Sequence, residues 1–343
     1  MSIASAAPAW TPALGTTTAR QFRRAVAWAL GLVGLGCVIY AVEKYALALE
    51  SRFIENPADE MMRAMALAHF IVGWLFLFTS PRLRGGRAWG RLALATAAGV
   101  VLCAVFARFG ATRNPLLVMF FYGYFLVHEV RDEAHLYRIY GDAPAGRPDL
   151  LAPLSRFVSL LLMVVLAGGY LLYVAATDKR TPLDRAHPAL PVAVVAALAA
   201  ACVWACCRLH RCAGGAWGGL AREYRPLLLV YASILGILVA GTLLGSTGFN
   251  LIILIHVTAW LVFVQYQLGR RPPVRTRNVW TWLRATPAGF LTLHLGIALV
   301  VLVLMAIRVH LWHRVGFVSE LLASCNFCYW GLMHISMSFW SSR

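Results

Sequence analysis

The stretch FVSLLLMVVLAGGYLLYVAA, Phe157–Ala176, runs without one charged side chain. A bilayer core about 30 Å thick needs roughly 20 apolar residues at a helical rise of about 1.5 Å each, and this segment supplies them. In hydrocarbon the backbone has to satisfy its own hydrogen bonds, so a run of this kind reads as a transmembrane helix. Comparable runs recur on both sides of it, through a chain of 343 residues that is 60% hydrophobic and 13% charged, with a mean hydropathy of +0.70. Those values lie well outside the balance of a soluble domain.

Ten spans are expected, near residues 24–48, 61–80, 89–109, 114–137, 152–176, 189–207, 226–245, 249–267, 287–308 and 320–340. The fold class is all-α, a polytopic membrane helix bundle. A disordered tail over 1–19 precedes a single domain over 20–343. Prolines at 81, 115, 153, 188, 226 and 287 fall at or beside span ends, where a missing N–H costs little.

The formal charge of +17 would suggest nucleic acid in a soluble protein. Here the basic residues sit in short loops, so the lipid bilayer, not nucleic acid, is the expected partner. With both termini in the cytoplasm, 21 of the 31 Lys and Arg residues lie on the cytoplasmic side and 10 on the other. That asymmetry follows the positive-inside rule and suits a multi-pass protein of a bacterial-type inner membrane. Most of the eight cysteines fall in apolar runs, where they act as small soft packing residues and predict no disulfide framework. Cys325-x-x-Cys328 has redox or metal spacing, but within an apolar helix it reads first as packing.

Ionisable residues inside hydrocarbon need a reason. The strongest spacing is in FYGYFLVHEVRDEAHLYRIYGD, Phe121–Asp142, where an apolar helix ends in charge. At about 100° per residue, His128, Asp132 and His135 fall within roughly 60° of one another, with Tyr124 and Phe121 continuing the stripe. Imidazole with carboxylate is a donor set for iron, zinc or manganese. Glu129 and Glu133 point elsewhere on the wheel, as outer supports or ligands to a second ion. The competing reading of this segment is a solvated helix end at the headgroup layer.

Single histidines on other spans join it: His294 and His334 near the depth of His128, His69 and His256 nearer mid-membrane. Single ligands on separate helices at one level are how a bundle builds a metal site. Trp330 and Ser338 flank His334 at i−4 and i+4, where they can orient the ring. In chemistry this set is similar to the histidine-rich sites of membrane fatty-acid desaturases and hydroxylases, whose HxxxH and HxxHH boxes this chain lacks.

The expectation is an integral membrane, metal-dependent oxidoreductase that hydroxylates or desaturates a hydrophobic small molecule. Its cofactor would be non-haem iron, mononuclear or dinuclear, since attack on a C–H bond by dioxygen lies beyond unaided side chains. Basic cytoplasmic loops would suit an acidic electron donor. The alternatives are a haem-binding electron carrier with axial histidines, and a proton-coupled transporter.

Overall fold

In a computed structural model of the chain, the described residues are part of 24–42, then 57–79, 85–110, 114–140, 149–178, 180–244, 246–270, 278–311, 321–323 and 326–341. The expected N-terminal tail, residues 43–48 of the expected first span, Cys37 and Cys325 lie outside them. Every element among the described residues is a helix: α1 (Val26–Gly36), α2 (Pro57–Phe78), α3 (Gly86–Arg108), α4 (Pro115–Tyr140), α5 (Leu151–Thr177), α6 (Pro182–Ala186), α7 (Leu190–Cys212), α8 (Trp217–Glu223), α9 (Arg225–Leu244), α10 (Ser246–Arg270), α11 (Val279–Ala285), α12 (Pro287–Leu311) and α13 (Phe327–Ser341).

Local chemistry sets the helix starts. Pro57, Pro115, Pro182 and Pro287 each open a helix, at the position whose N–H has no intrahelical partner. At α6, Thr181 and Asp184 form a reciprocal capping box. Between α11 and α12, the Gly289 N–H donates to Thr286 Oγ1 at 3.0 Å. A Cβ at Gly289 would run into the Trp282 carbonyl oxygen, so this joint requires glycine.

Six helices among the described residues are long and apolar enough to cross a membrane, in α2, α3, α5, α7, α10 and α12. The pair α8 and α9, bent by 90°, makes a seventh if counted as one span. Helix α4 has the length, at 26 residues, but its C-terminal half carries the charges, and α13 has 15 described residues. Large apolar side chains face outward around the bundle, among them Leu94, Leu172, Val203 and Leu299, each more than half exposed. Water would penalise such a surface, and lipid covers it. The protein is an integral membrane protein.

The most buried of the six are α2 and α10. Helix α2 packs on α10, α12 and α13, while α4 packs on α5, α9, α10 and α13. Helix α13 approaches α4 through Gly331, where a Cβ would stand 2.8 Å from the Phe121 ring. Four helices, α2, α4, α10 and α13, thereby surround one volume. The six cysteines described, Cys103, Cys202, Cys206, Cys207, Cys212 and Cys328, are all free thiols.

Candidate metal centre

Each of the four central helices carries one buried histidine into the shared volume: His69 on α2, His128 on α4, His256 on α10 and His334 on α13. Their ring centroids form a closed circuit. His69 lies 4.8 Å from His334 and 5.1 Å from His256, and His128 lies 5.3 Å from His334 and 5.1 Å from His256.

These spacings can be set against a coordination sphere. A metal–nitrogen bond of about 2.1 Å plus roughly 1.1 Å from ring nitrogen to ring centre puts each centroid about 3.2 Å from a shared ion. Neighbouring centroids then sit about 4.5 Å apart around a square and about 5.2 Å apart around a tetrahedron. The spacings of 4.8 and 5.1 Å fall between those values, and the 5.3 Å from His128 to His334 stands at the upper one.

The donor atoms agree. Ligand atoms of His69, His256 and His334 all lie within 4.8 Å of one another, as do those of His128, Asp132 and His256. Both ring nitrogens of His69 and His256, and Nε2 of His128 and His334, are buried with no hydrogen-bond partner. Buried polar atoms are nearly always paired, so a group of ring nitrogens without partners around one volume is a candidate site for a cation. The buried cluster can hold a metal ion.

Ser338 contacts one of the four imidazoles. Its hydroxyl donates to the Ile335 carbonyl at 2.9 Å, and its oxygen also lies 2.9 Å from His128 Nδ1. With the hydroxyl proton on Ile335, His128 donates through Nδ1–H and keeps its lone pair on Nε2; with that proton on His128 Nδ1, it is Nε2 that carries the ring N–H. That nitrogen faces Asp132 Oδ2 at 3.6 Å. In the first tautomer the two groups face each other as electron-pair donors, as adjacent ligands of one ion would, and in the second they are a histidine–carboxylate pair.

The other expected residues are placed as follows. His294 on α12 is buried outside the circuit, and Trp260 touches both it and His69, with centroids at 5.8 and 4.3 Å. His135 shares its azimuth with His128 but lies about 10.5 Å further along the axis. It is exposed and lines a groove between α4 and α5. Glu129 and Glu133 are fully buried on α4, and both Glu129 oxygens lack a hydrogen-bond partner. Tyr124 meets Ser336 through their hydroxyls at 3.2 Å and Phe339 by ring contact at 5.2 Å. Trp330 stacks on Trp74 at 5.5 Å and donates Nε1–H to the Leu321 carbonyl, away from the imidazoles. Ser338 serves His128 on α4, not His334 on its own helix.

Sequence reasoning missed the aromatic frame. Phe70 stacks on His334 at 4.5 Å and Trp260 meets His69 edge-on. The available signal was spacing: Trp260 follows His256 by one helical turn, and Phe70 adjoins His69. Comparison with family models, curated proteins and solved structures returns no match.

Proposed function

We propose that this protein is a metal-dependent oxidoreductase of the membrane that hydroxylates or desaturates a lipid-soluble substrate, with non-haem iron at the histidine cluster. The observation that carries the reading is the circuit of imidazoles from four helices, closed by a carboxylate, at coordination spacing. Nitrogen with carboxylate oxygen suits iron better than the softer sulfur sites do. Iron so bound would supply the dioxygen chemistry that C–H attack requires. The chain's own contribution is to position the ion, exclude water with Phe70, Phe125 and Trp260, and admit an apolar substrate from the bilayer.

His69, His128, His256, His334 and Asp132 form the proposed ligand set, and His135 and His294 stand outside it. One ion can take all four imidazoles, or two ions can share His256 between the overlapping triads. The finer topology is ten spans with both termini cytoplasmic, in a bacterial-type inner membrane, with an acidic electron donor at the basic cytoplasmic loops. A haem between these histidines is the weaker reading, because rings in mutual contact leave no gap for a macrocycle.

Elemental analysis of protein extracted in mild detergent tests this. One or two iron atoms per chain are expected, lost in His256→Ala, with no Soret absorbance. Absence of any bound transition metal in freshly extracted protein would sink the proposal.

A further inference from the structure

Helices α4, α5, α6 and α7 border a cleft of about 330 Å³, apart from the histidine cluster. Helix α5 lines it at Met163, Ala167 and Tyr170, and α7 faces them at Leu190, Val194 and Leu198. Each stripe follows its helix axis for about 10 to 12 Å, so the cleft runs lengthwise between two helices. Val194 and, on α4, Phe120 are exposed at its rim, where lipid covers the bundle.

The α6 end of this apolar cleft carries a carboxylate. Asp184 lines it and is only 4% exposed. Its Oδ2 accepts three hydrogen bonds, from the Tyr170 hydroxyl at 2.5 Å, the Thr181 hydroxyl at 2.8 Å and the Thr181 N–H at 3.0 Å. Among the described residues, Oδ1 accepts none. A carboxylate oxygen buried without a donor is costly, and a donor brought by a ligand would lift that cost. Tyr170 is the only other polar side chain in the lining, and its proton is already given to Oδ2.

The carboxylate repels an anionic headgroup, while Arg180 and Arg185, close to Asp184 along the chain, oppose a cationic one. A neutral hydroxyl on a single hydrocarbon chain matches both the polar end and the apolar length. We propose that this cleft binds a long-chain alcohol from the bilayer, its hydroxyl donating to Asp184 Oδ1 and its chain lying between α5 and α7. None of the lining residues belongs to the proposed metal-ligand set, so the site stands whether or not the histidines hold an ion.

Equilibrium binding of radiolabelled hexadecanol to the full chain in neutral detergent tests this. Saturable binding is expected, displaced by unlabelled hexadecanol, whereas hexadecyl methyl ether, which lacks the donor, and hexadecanoate, which adds a negative charge, should each need about tenfold more. Ala167→Phe and Val194→Phe fill the cleft from its two sides, and each should weaken binding by about tenfold or more. Val194 is exposed, so its variant tests the cleft even where Ala167→Phe disturbs packing. Leu172→Phe, an exposed position on α5 outside the lining, should change nothing. Absence of saturable binding, unchanged binding in Val194→Phe, or an equal loss in Leu172→Phe would overturn the site. Displacement by the ether or by hexadecanoate at the same concentration as by the alcohol would overturn the hydroxyl as the group recognised. Metal content, read in the same samples, is expected to match wild type in Val194→Phe.

Discussion

Ser338 stands outside the proposed ligand set, yet its oxygen lies 2.9 Å from Nδ1 of His128 and so bears on which nitrogen His128 would offer. Ser338→Ala removes the hydrogen-bond partner of Nδ1 and frees the imidazole to rotate or change tautomer. Metal affinity in a competition titration should fall about 10- to 100-fold, the usual effect of losing a partner behind a ligand. His135→Ala should leave metal content at the wild-type value, since its ring lies in the outer groove. The contrast between those residues also marks what the helical wheel can read. It gave the azimuth of His128 and Asp132 correctly, and His135 shares that azimuth. Depth along the axis separates them, and whether a neighbouring helix reaches that depth is a tertiary fact absent from the wheel. Ser338 was legible as a polar residue near a histidine, but its bond crosses to α4, where no spacing within α13 could point.

Helix starts were legible because proline and capping chemistry are local: Pro115 and Pro287 open α4 and α12 where the sequence places them. Helix contacts were not, because they depend on which faces meet. Gly331 shows this, reading as an ordinary glycine in an apolar run until the Phe121 ring lies against it. Gly331→Val should force α13 away from α4 and cost about 1–3 kcal/mol, visible as a lower thermal midpoint and weaker metal retention. The α6 cap gives a pH-dependent counterpart. Burial pushes the Asp184 carboxyl up, but hydrogen bonds from the Tyr170 hydroxyl and from the Thr181 hydroxyl and N–H outweigh it and hold it below its ordinary range. A depressed folded value gives stability that is present above the unfolded pKa of about 3.9 and is lost as pH falls through the folded one. Asp184→Asn should therefore lower the thermal midpoint at pH 7, and the gap to wild type should close as the pH drops below about 4.

For the whole molecule, the membrane class followed from composition, since no soluble surface tolerates so many outward apolar side chains. The candidate site was legible only as a set of unexplained histidines, because their convergence depends on how α2, α4, α10 and α13 pack. An ion held by the proposed ligands would tie those four helices together, so stripping it with a strong chelator should lower the thermal midpoint, and re-adding ferrous iron should restore it. At a free metal concentration 100 times Kd the linkage amounts to about 2.7 kcal/mol. His256→Ala protein should show no such response, which separates metal loss from chelator damage.

The four ligand-bearing helices are widely spaced along the chain, with histidines at positions 69, 128, 256 and 334. During synthesis α2, α4 and α10 enter the membrane before α13, and until it arrives the pocket lacks His334 and the Ser338 that contacts His128. On the proposed ligand set, metal capture would be an event of late assembly: a ribosome stalled between α10 and α13 would leave an inserted but metal-poor chain, and loading would report that the last of the four helices had docked.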